Sequence, residues 1–270
     1  MGVLRHVLWI GGPPGAGKTA VATRIARRHG LRWYGADTRT WQHRDRALRA
    51  GNAAARRWEA MTPEDRWARS TPSEMLELSL HTERGAMALD DLRALPESPL
   101  VIAEGSVLPA RAVSSGIADP SRAVWLLPTS DFQRATLAAR GTPPGPTALY
   151  RLLRDVIARD ASEHSAPTLI VDGSRDLEAT VAAVEELFSE ALAEGPRAET
   201  CTERQALLRE ANEAIAAQVR AYYARPWAEG DAESVVRELV CECGATSCDA
   251  RVRVPVGALA DAPLLSQAHR

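Results

Sequence analysis

A glycine-rich segment that directly follows a short apolar run restricts the fold of this chain more than any other feature. Residues 12–19 read GPPGAGKT and match the pattern G-x-x-x-x-G-K-[ST] at every fixed position. Residues 7–10 have the composition of a buried strand, and residues 19–29 have a helical apolar pattern that stops at Gly30. In that setting the backbone N–H groups of the turn and the positive end of the helix dipole attract anions. The segment therefore predicts a phosphate-binding strand, loop and helix.

The same segment predicts which residues bind a nucleotide. Lys18 is the only lysine among 33 basic residues, so a compact ammonium group stands where it can bridge the β- and γ-phosphates of ATP. The Thr19 hydroxyl is the expected ligand of Mg²⁺. The alternative is a glycine-rich turn without a function, and the motif, its context and the single lysine argue against it. The predicted nucleotide-binding residues are Gly12, Pro13, Pro14, Gly15, Ala16, Gly17, Lys18, Thr19 and Ala20.

Five short apolar runs are typical of the strands of a parallel sheet. They occupy residues 7–10, 31–34, 100–103, 123–127 and 168–171. Helical stretches separate them, and parallel neighbours require crossovers of a dozen or more residues, so helices are expected on both faces. In such sheets ligands lie beyond the carboxyl ends of the strands. The phosphate loop, Asp37, Glu104 and Asp172 all follow strand ends, which predicts a polar site at one edge of the sheet.

With these residues the chain resembles the small-molecule kinases of the P-loop superfamily, which include shikimate, gluconate and nucleoside monophosphate kinases and chloramphenicol phosphotransferase. The resemblance covers roughly residues 5–193 and rests on the phosphate loop and the strand-end residues. It implies a three-layer α/β sandwich with a five-stranded parallel sheet of order 2-3-1-4-5. It also implies transfer of the γ-phosphoryl group of ATP to a hydroxyl of a small molecule. The whole chain also resembles actinobacterial P-loop proteins, which do not supply a substrate.

The resemblance implies roles for two acidic residues that follow strands. Asp37 would contact the acceptor hydroxyl and accept its proton during transfer. The alternative for Asp37 is a helix cap before Thr38. Glu104 would orient Mg²⁺ through water or touch the substrate, and its alternative is a structural carboxylate that accepts backbone N–H bonds. In either role Glu104 is expected to face the site.

A proline-rich stretch between the fourth and fifth strands is the expected lid. Related kinases carry a mobile lid there, with arginines that neutralise charge on the transferred phosphoryl group. The resemblance places the lid at residues 141–150, with a helix beginning near Thr147. The candidate arginines are Arg134, Arg140, Arg151 and Arg154, of which Arg140 is assigned to catalysis and Arg134 to nucleotide binding. The alternative is that each is a solvated helix residue. Gly173, in the loop after the fifth strand, is expected beside the adenine.

The sequence divides into two parts near Gly195. Residues 1–195 are the predicted nucleotide-binding domain, which ends with a helix over residues 177–194. Residues 196–270 are the predicted C-terminal helix and small cysteine-containing α+β module, for which a protein partner is a further expectation. A long helical insertion is predicted at residues 38–99, on the substrate side. Its tryptophans either pack the insertion onto the sheet or line an acceptor pocket; they are Trp41, Trp58 and Trp67.

Three cysteines in the C-terminal module are candidate metal ligands. Cys241, Cys243 and Cys248 lie on a predicted turn in which Gly244 permits the bend, and thiolates at this spacing can hold tetrahedral Zn²⁺. A closed site needs a fourth ligand, and the available side chains are those of Cys201, His269 and Asp249. The alternative is three reduced thiols in a small β-module. The absence of a C-x-x-C pattern argues against a redox role.

The composition excludes several functions. A formal net charge of −2, from 33 basic and 35 acidic residues, provides no field that favours nucleic acid or a membrane surface. The sequence has no signal peptide and no apolar run of ~20 residues, and together with few cysteines this predicts a cytoplasmic protein. The N-K-x-D motif of GTPases needs a second lysine, which the chain lacks. Besides a small-molecule kinase, two alternatives stay open: a nucleotide-binding regulatory or partner-binding ATPase without an acceptor, and a plain ATPase.

Overall fold

Five parallel strands form the sheet at the centre of the molecule. The computed structural model describes residues 2–259 and 263–269. The strands are β1 (Val7–Gly11), β2 (Arg32–Gly35), β3 (Val101–Gly105), β4 (Ala123–Pro128) and β5 (Thr168–Val171). They are ordered β2-β3-β1-β4-β5 and each neighbouring pair is parallel, which confirms the predicted sheet and its order.

Helices cover both faces of this sheet. In the described residues they are α1 (Lys18–His29), α2 (Thr40–Arg49), α3 (Ala53–Ala60), α4 (Pro72–Leu78), α5 (His81–Ala94), α6 (Arg111–Ser114), α7 (Ser130–Ala139), α8 (Pro144–Glu163), α9 (Leu177–Leu187), α10 (Ser189–Glu194) and α11 (Cys201–Tyr223). Leu8 and Ile10 share a core with α1, α9 and α10, whereas Val7 and Trp9 share one with α5 and α8. Successive strand residues point to opposite faces, so the result is the predicted three-layer α/β sandwich.

The burial of the strands explains where the site lies. All five residues of β1 and of β3 are buried, as expected for central parallel strands that helices cover on both faces. One charged residue breaks this apolar pattern, because Glu104 near the end of β3 is only 2% exposed. In the strand register Glu104 pairs with Ile10 on β1 and Gly35 on β2. Glu104 therefore lies at the sheet edge from which the phosphate loop departs.

The prediction of one helix over residues 177–194 is wrong, because the structure has two helices there, α9 and α10. The backbone leaves the helical region at Phe188, with φ −99° and ψ 8°, between α9 and α10. The Phe188 side chain is buried in the core that α1 shares with the sheet. The apolar pattern is helical on both sides of this break, so the sequence does not show it.

The predicted flexible lid is also shorter than expected. The segment between α7 and α8 covers residues 140–143 only, and α8 begins at Pro144 rather than near Thr147. Proline fits the first turn of a helix because its missing N–H has no partner there. Gly145 packs so closely on the insertion that an added Cβ would lie 2.0 Å from the Trp67 carbonyl oxygen. The first turn of α8 is therefore held against the insertion.

The insertion is helical over most of its length, and one carboxylate in it joins several of its neighbours. Asp91 on α5 accepts hydrogen bonds from the Tyr34 hydroxyl at 2.9 Å and from Arg46 at 2.7 Å. The buried ring of His43 places Nε2 2.8 Å from the same carboxylate. Burial lowers the pKa of His43, against the opposing effect of Asp91. Asp91 thus joins β2, α2 and α5.

The C-terminal part consists of α11 and an antiparallel strand pair, β6 (Val236–Val240) and β7 (Arg251–Pro255). A capping box between Thr200 and Glu203 begins α11. Ala211 packs in the core that α1 shares with the sheet, and Val219 packs with residues of the strand pair's own small core. The long helix therefore connects the sheet to the small module.

Candidate functional site

The phosphate loop lies between β1 and α1, and glycines set its shape. Gly17 has φ 83° and forms the N-terminal cap position of α1, a left-handed conformation that glycine adopts without strain. A Cβ added at Gly17 would meet no atom within 4 Å. The space in front of the N-terminus of α1 is therefore open, as phosphate groups in contact with the backbone N–H groups require.

Lys18 is buried at the centre of this loop. Its side chain is 5% exposed, and Nζ donates a hydrogen bond to the Pro13 carbonyl at 3.0 Å. Burial lowers the pKa of Lys18, while the nearby carboxylates of Glu104 and Asp37 raise it. The two acidic residues that sequence reasoning selected thus lie close enough to Lys18 to act on its charge.

Thr19 and Glu104 form a hydrogen-bonded pair beside Lys18. The Thr19 hydroxyl donates to Glu104 Oε1 at 3.0 Å, while the other carboxylate oxygen, Oε2, is buried without a partner among the described residues. Burial raises the pKa of Glu104 to about 7, and Lys18 opposes this shift. A buried oxygen without a partner is costly, so the pair fits a ligand that supplies positive charge. Hard cations such as Mg²⁺ prefer such oxygen ligands.

Asp37 lies in a short 3₁₀ helix, Ala36–Arg39, directly after β2. Its side chain is 57% exposed and lies 3.7 Å from the guanidinium of Arg84. Arg84 is itself buried and donates to the Ala36 carbonyl and the Thr40 hydroxyl. No side chain caps the 3₁₀ helix or α2, so the geometry gives Asp37 no capping role. Its carboxylate faces the cavities described next.

A cavity of about 470 Å³ runs from the phosphate loop to the helical insertion. One end is lined by Lys18, Thr19 and Asp37, and the other by aromatic and polar side chains. Residues of the insertion at the other end include Trp41, Arg44, Trp58 and Trp67, and the cavity is also lined by Ser79, His81, Arg84, Arg140 and Tyr150. The three tryptophans of the insertion therefore both pack with their neighbours and line this cavity. A second cavity, of about 550 Å³, meets the first at Thr19 and Asp37 and extends along α11.

The far end of the first cavity carries positive charge that the sequence did not reveal. Arg44 is 3% exposed, and Nη2 donates to the Leu78 carbonyl at 2.7 Å. Its Nε and Nη1 have no partner among the described residues. The guanidinium lies 4.6 Å from the centroid of the Trp58 ring. Burial lowers the pKa of Arg44 to about 9, with Glu59 opposing the shift. The wall of the cavity thus contains a buried, incompletely hydrogen-bonded cation packed on an aromatic ring.

The end of α11 completes the wall of the cavities. The backbone N–H of Trp41 lies 3.5 Å from Gln218 Oε1, and its ring packs 5.5 Å from Tyr222 and 5.7 Å from Trp227. Arg225 donates to the Trp41 carbonyl at 3.0 Å. The insertion is therefore held from the side of the C-terminal helix.

Gln133 is a second residue that sequence reasoning missed. It is fully buried, and its Nε2 donates to the Pro14 carbonyl at 2.9 Å and to the Tyr150 carbonyl at 3.0 Å. One amide thereby links the phosphate loop to α8. A single glutamine in a helix gives no sequence signal for such a contact.

The other predicted site residues lie in different surroundings. Arg140 follows α7 and lines the cavity beside the phosphate loop. Arg134, on the exposed side of α7, pairs with Asp131 at 2.7 Å and does not line this cavity. Arg154 pairs with its neighbour Asp155, and neither it nor Arg151 lines the cavity. Gly173 follows β5, with Phe132 beside it. The structure thus brings Arg140 to the phosphate loop and leaves Arg134 outside.

The candidate zinc ligands form a separate cluster in the C-terminal module. The ligand atoms of Cys241, Cys243, Cys248 and His269 all lie within 4.8 Å of one another. Among the three side chains considered for the fourth position, the structure thus brings His269 to the cysteines. Asp249 pairs with Arg24 instead.

In the described part of the chain no helix combines the length and apolar character needed to cross a bilayer. No protein-family model matches the sequence, and no curated protein matches it.

Two solved structures to which the chain is similar cover about the same share of it. The crystal structure of TT1252 from Thermus thermophilus is 21% identical, over 67% of this chain and 96% of that chain, with a TM-score of 0.41. Shikimate kinase from Acinetobacter baumannii in complex with shikimate is 16% identical, over 69% of this chain and 93% of that chain, with a TM-score of 0.40. The strand order of the sheet and the phosphate loop between β1 and α1 give this chain the P-loop kinase-like fold.

Proposed function

We propose that this chain is a kinase that transfers the γ-phosphoryl group of ATP to a hydroxyl group of a small molecule. The observation that carries the proposal is the continuous cavity from Lys18 past Asp37 to the tryptophans of the insertion. A regulatory nucleotide-binding protein or a plain ATPase needs a phosphate site but no acceptor space beside it. In a kinase, both substrates must occupy one cavity so that the acceptor oxygen and the phosphoryl group lie in line.

In the proposed reaction each residue has a stated part. The acceptor oxygen forms a bond to the γ-phosphorus while the bond to the β,γ-bridging oxygen breaks, and ADP leaves with that electron pair. Asp37 accepts the hydroxyl proton. Lys18 and Arg140 balance negative charge on the phosphates. Mg²⁺, for which Thr19 and Glu104 are the proposed ligands, would supply further positive charge at the phosphates.

The rest of the nucleotide is proposed to lie along the loop and toward β5. The backbone of residues 12–20 would hold the phosphates, and Gly173 would lie beside the adenine. Arg134 has no part in the proposal, because its guanidinium is 62% exposed and paired with Asp131. We also propose that the protein acts in the cytoplasm, a view supported by its four unpaired cysteines.

The proposed acceptor is an anion with a flat apolar part. Arg44 and Arg84 are buried and line the cavity, and two guanidinium nitrogens of Arg44, Nε and Nη1, lack partners among the described residues. An unpartnered buried donor is costly, and a carboxylate or phosphate is the group that a guanidinium binds best. Trp58 and Trp67 line the same end, and tryptophan faces favour planar apolar groups. Together these side chains favour a hydroxylated organic acid or phosphate ester.

The test is an acceptor screen with the purified protein, ATP and Mg²⁺. Hydroxyl-bearing compounds, including metabolites and antibiotics, would be grouped as anionic, neutral and cationic, and ADP release and phosphorylated product would be measured for each. We expect acceptor-dependent ADP release with the anionic group and none with Lys18→Ala. Nucleotide binding without turnover for any acceptor would favour the regulatory alternative. ADP release that no acceptor changes would favour a plain ATPase.

A further inference from the structure

Four side chains in the C-terminal module converge around one point. We propose that Cys241, Cys243, Cys248 and His269 bind a single structural zinc ion. Their three sulfur atoms and one ring nitrogen all lie within 4.8 Å of one another. In a tetrahedral zinc site, with Zn–S of about 2.3 Å and Zn–N of about 2.0–2.1 Å, ligand atoms lie about 3.5–3.8 Å apart. The four atoms are thus grouped to within about 1 Å of the spacing of a zinc site.

The chemistry of the four ligands selects the class of metal. Thiolates and imidazole bind zinc well, whereas magnesium and calcium prefer oxygen ligands. Three thiolates and one neutral imidazole around Zn²⁺ carry one net negative charge. Arg27, a buried residue in the last turn of α1, places Nη1 3.9 Å from Cys243 Sγ. A buried cation beside the cluster fits that negative charge.

The turn that carries the cysteines is held in place by its backbone. Cys241 N–H donates to the Ala250 carbonyl at 3.1 Å, and Ser266 N–H donates to Cys241 Sγ at 3.3 Å. Gly244 has φ 75° between Cys243 and Cys248, the left-handed conformation that glycine favours. Hydrogen bonds from backbone N–H groups to sulfur orient metal ligands and stabilise thiolate charge. These contacts therefore prepare the cysteines as ligands.

A separate set of contacts brings His269 to the cysteines, although it is distant in the sequence. Glu242 N–H donates to the Leu264 carbonyl at 2.6 Å, and Leu264 N–H donates to Glu242 Oε2 at 2.9 Å. Glu242 is almost fully buried and also accepts a hydrogen bond from Asn212 on α11 at 2.7 Å. A buried carboxylate with several partners fixes the segment that leads to His269. His269, the fourth ligand, therefore lies in a segment that hydrogen bonds anchor to the turn of the cysteines.

The grouping of three thiols and one imidazole around one point argues against three reduced cysteines without a ligand. Cys241 is fully buried and Cys248 is 7% exposed, and no disulfide joins any of the four cysteines. Cys201, the fourth cysteine, is exposed, and its sulfur donates to the Cys243 carbonyl rather than joining the cluster. The chain therefore contains three cysteines in the cluster and one beside it.

The proposed ion has a structural role, because four protein ligands leave no position for a substrate or a reactive water. It would join the turn after β6 to the segment that carries His269. Arg27 extends this link to α1, since it donates to the carbonyl oxygens of Cys241 and Ala245. The helix that begins at the phosphate loop thus ends against the zinc module.

Metal content tests the proposal directly. Wild-type protein purified without chelators is expected to contain about one equivalent of zinc, as is Cys201→Ser, the matched control. Cys243→Ser and His269→Ala are expected to lose most of it. Cobalt added to metal-free wild-type protein should give thiolate-to-cobalt absorption and the strong visible bands of a tetrahedral site. Wild-type protein with little zinc and no such cobalt spectrum would overturn the proposal, as would full zinc content in Cys243→Ser.

A second experiment uses only the wild-type protein, so that variants which fail to fold do not affect it. Alkylation of native protein followed by mass spectrometry should label Cys201 and leave Cys241, Cys243 and Cys248 protected. After a strong chelator is added, Cys243, which is partly exposed, should become labelled and zinc should appear in solution. Equal labelling of Cys243 before and after chelation would contradict the proposal.

Discussion

The hydroxyl of Thr19 donates a hydrogen bond to Glu104 across 3.0 Å, although the two residues are 85 positions apart in the sequence. The contact exists because β1 and β3 are neighbours and end at the same edge of the sheet. It occupies one carboxylate oxygen and leaves Oε2 without a partner among the described residues. The phosphate loop and the acidic strand end therefore form one site, and its charge depends on pH.

Nucleotide binding should weaken as the pH falls through about 7. Burial raises the pKa of Glu104 to about 7, so the carboxyl group takes up a proton below that pH and loses the charge that attracts a cation. Above that pH the carboxylate is charged and binding is at its strongest. Calorimetry of Mg²⁺-ATP binding at about pH 6 and about pH 8 measures the difference. In Glu104→Gln this pH dependence should disappear, and an unchanged dependence in that variant would show that another group is responsible.

Substitutions of Lys18 and Asp37 should have separate effects on ATP binding and on phosphoryl transfer. Lys18→Ala removes the cation at the phosphates and is expected to abolish measurable ATP binding. Asp37→Asn keeps the shape of the side chain but cannot accept the hydroxyl proton, so kcat should fall roughly 10²- to 10⁴-fold. ATP affinity of Asp37→Asn, measured by calorimetry, should stay close to that of the wild type. Strongly weakened ATP binding in Asp37→Asn would contradict its assignment to the acceptor.

Arg44 should determine affinity for an anionic acceptor. Arg44→Met keeps much of the side-chain volume but removes the charge, and lost hydrogen bonds to a charged group cost about 1.5–3 kcal/mol. The KM for an anionic acceptor should therefore rise roughly 10- to 150-fold, while the KM for ATP should change little. Arg49→Met is the matched control, because Arg49 lies on the same helix and is exposed. Similar effects of the two substitutions would exclude a specific role for Arg44.

Asp91 should contribute to stability rather than to chemistry. Asp91→Ala leaves Tyr34, His43 and Arg46 without their shared carboxylate. Because their donors lose a partly buried acceptor, we expect the free energy of unfolding to fall by about 1–3 kcal/mol. Urea unfolding would show a lower midpoint. Asp90→Asn, at an exposed neighbouring position, should leave the midpoint nearly unchanged. A wild-type midpoint in Asp91→Ala would show that the insertion is held by other contacts.

Much of the fold could be predicted because local signals agreed with the global arrangement. The motif at residues 12–19 lies between a strand and a helix, which is the setting that distinguishes a phosphate-binding loop from a chance match. The apolar runs are long enough to indicate each strand. The break at Phe188 could not be predicted, since apolar spacing is helical on both sides. The helix start at Pro144 was missed because proline-rich segments also form loops, and only contact with the insertion fixes this one as a helix.

Site residues could be predicted where a sequence motif or a strand end restricts the residue type. They could not be predicted where only tertiary packing determines which side chain reaches the site. The position of Glu104 beside the phosphate loop could be predicted because it follows an apolar strand, and ligands lie beyond the carboxyl ends of parallel strands. Arg44 could not, because arginine fills nearly every basic position in the sequence and only the tertiary structure shows which guanidinium is buried. His269 was one of three open choices for a fourth ligand. Only the hydrogen bonds between Glu242 and Leu264 show how it reaches the cysteines.

The packing of Trp41 against Tyr222 and Trp227 has a consequence for synthesis of the protein on the ribosome. The phosphate loop and the sheet are complete once residue 171 has left the exit tunnel, but this side of the proposed acceptor space closes only when residues 222–227 have also emerged. A nascent chain therefore contains every strand of the parallel sheet before it contains the residues that close the acceptor side. If the chain is the proposed kinase, phosphoryl transfer to an acceptor can begin only after the segment that ends at residue 227 has been made.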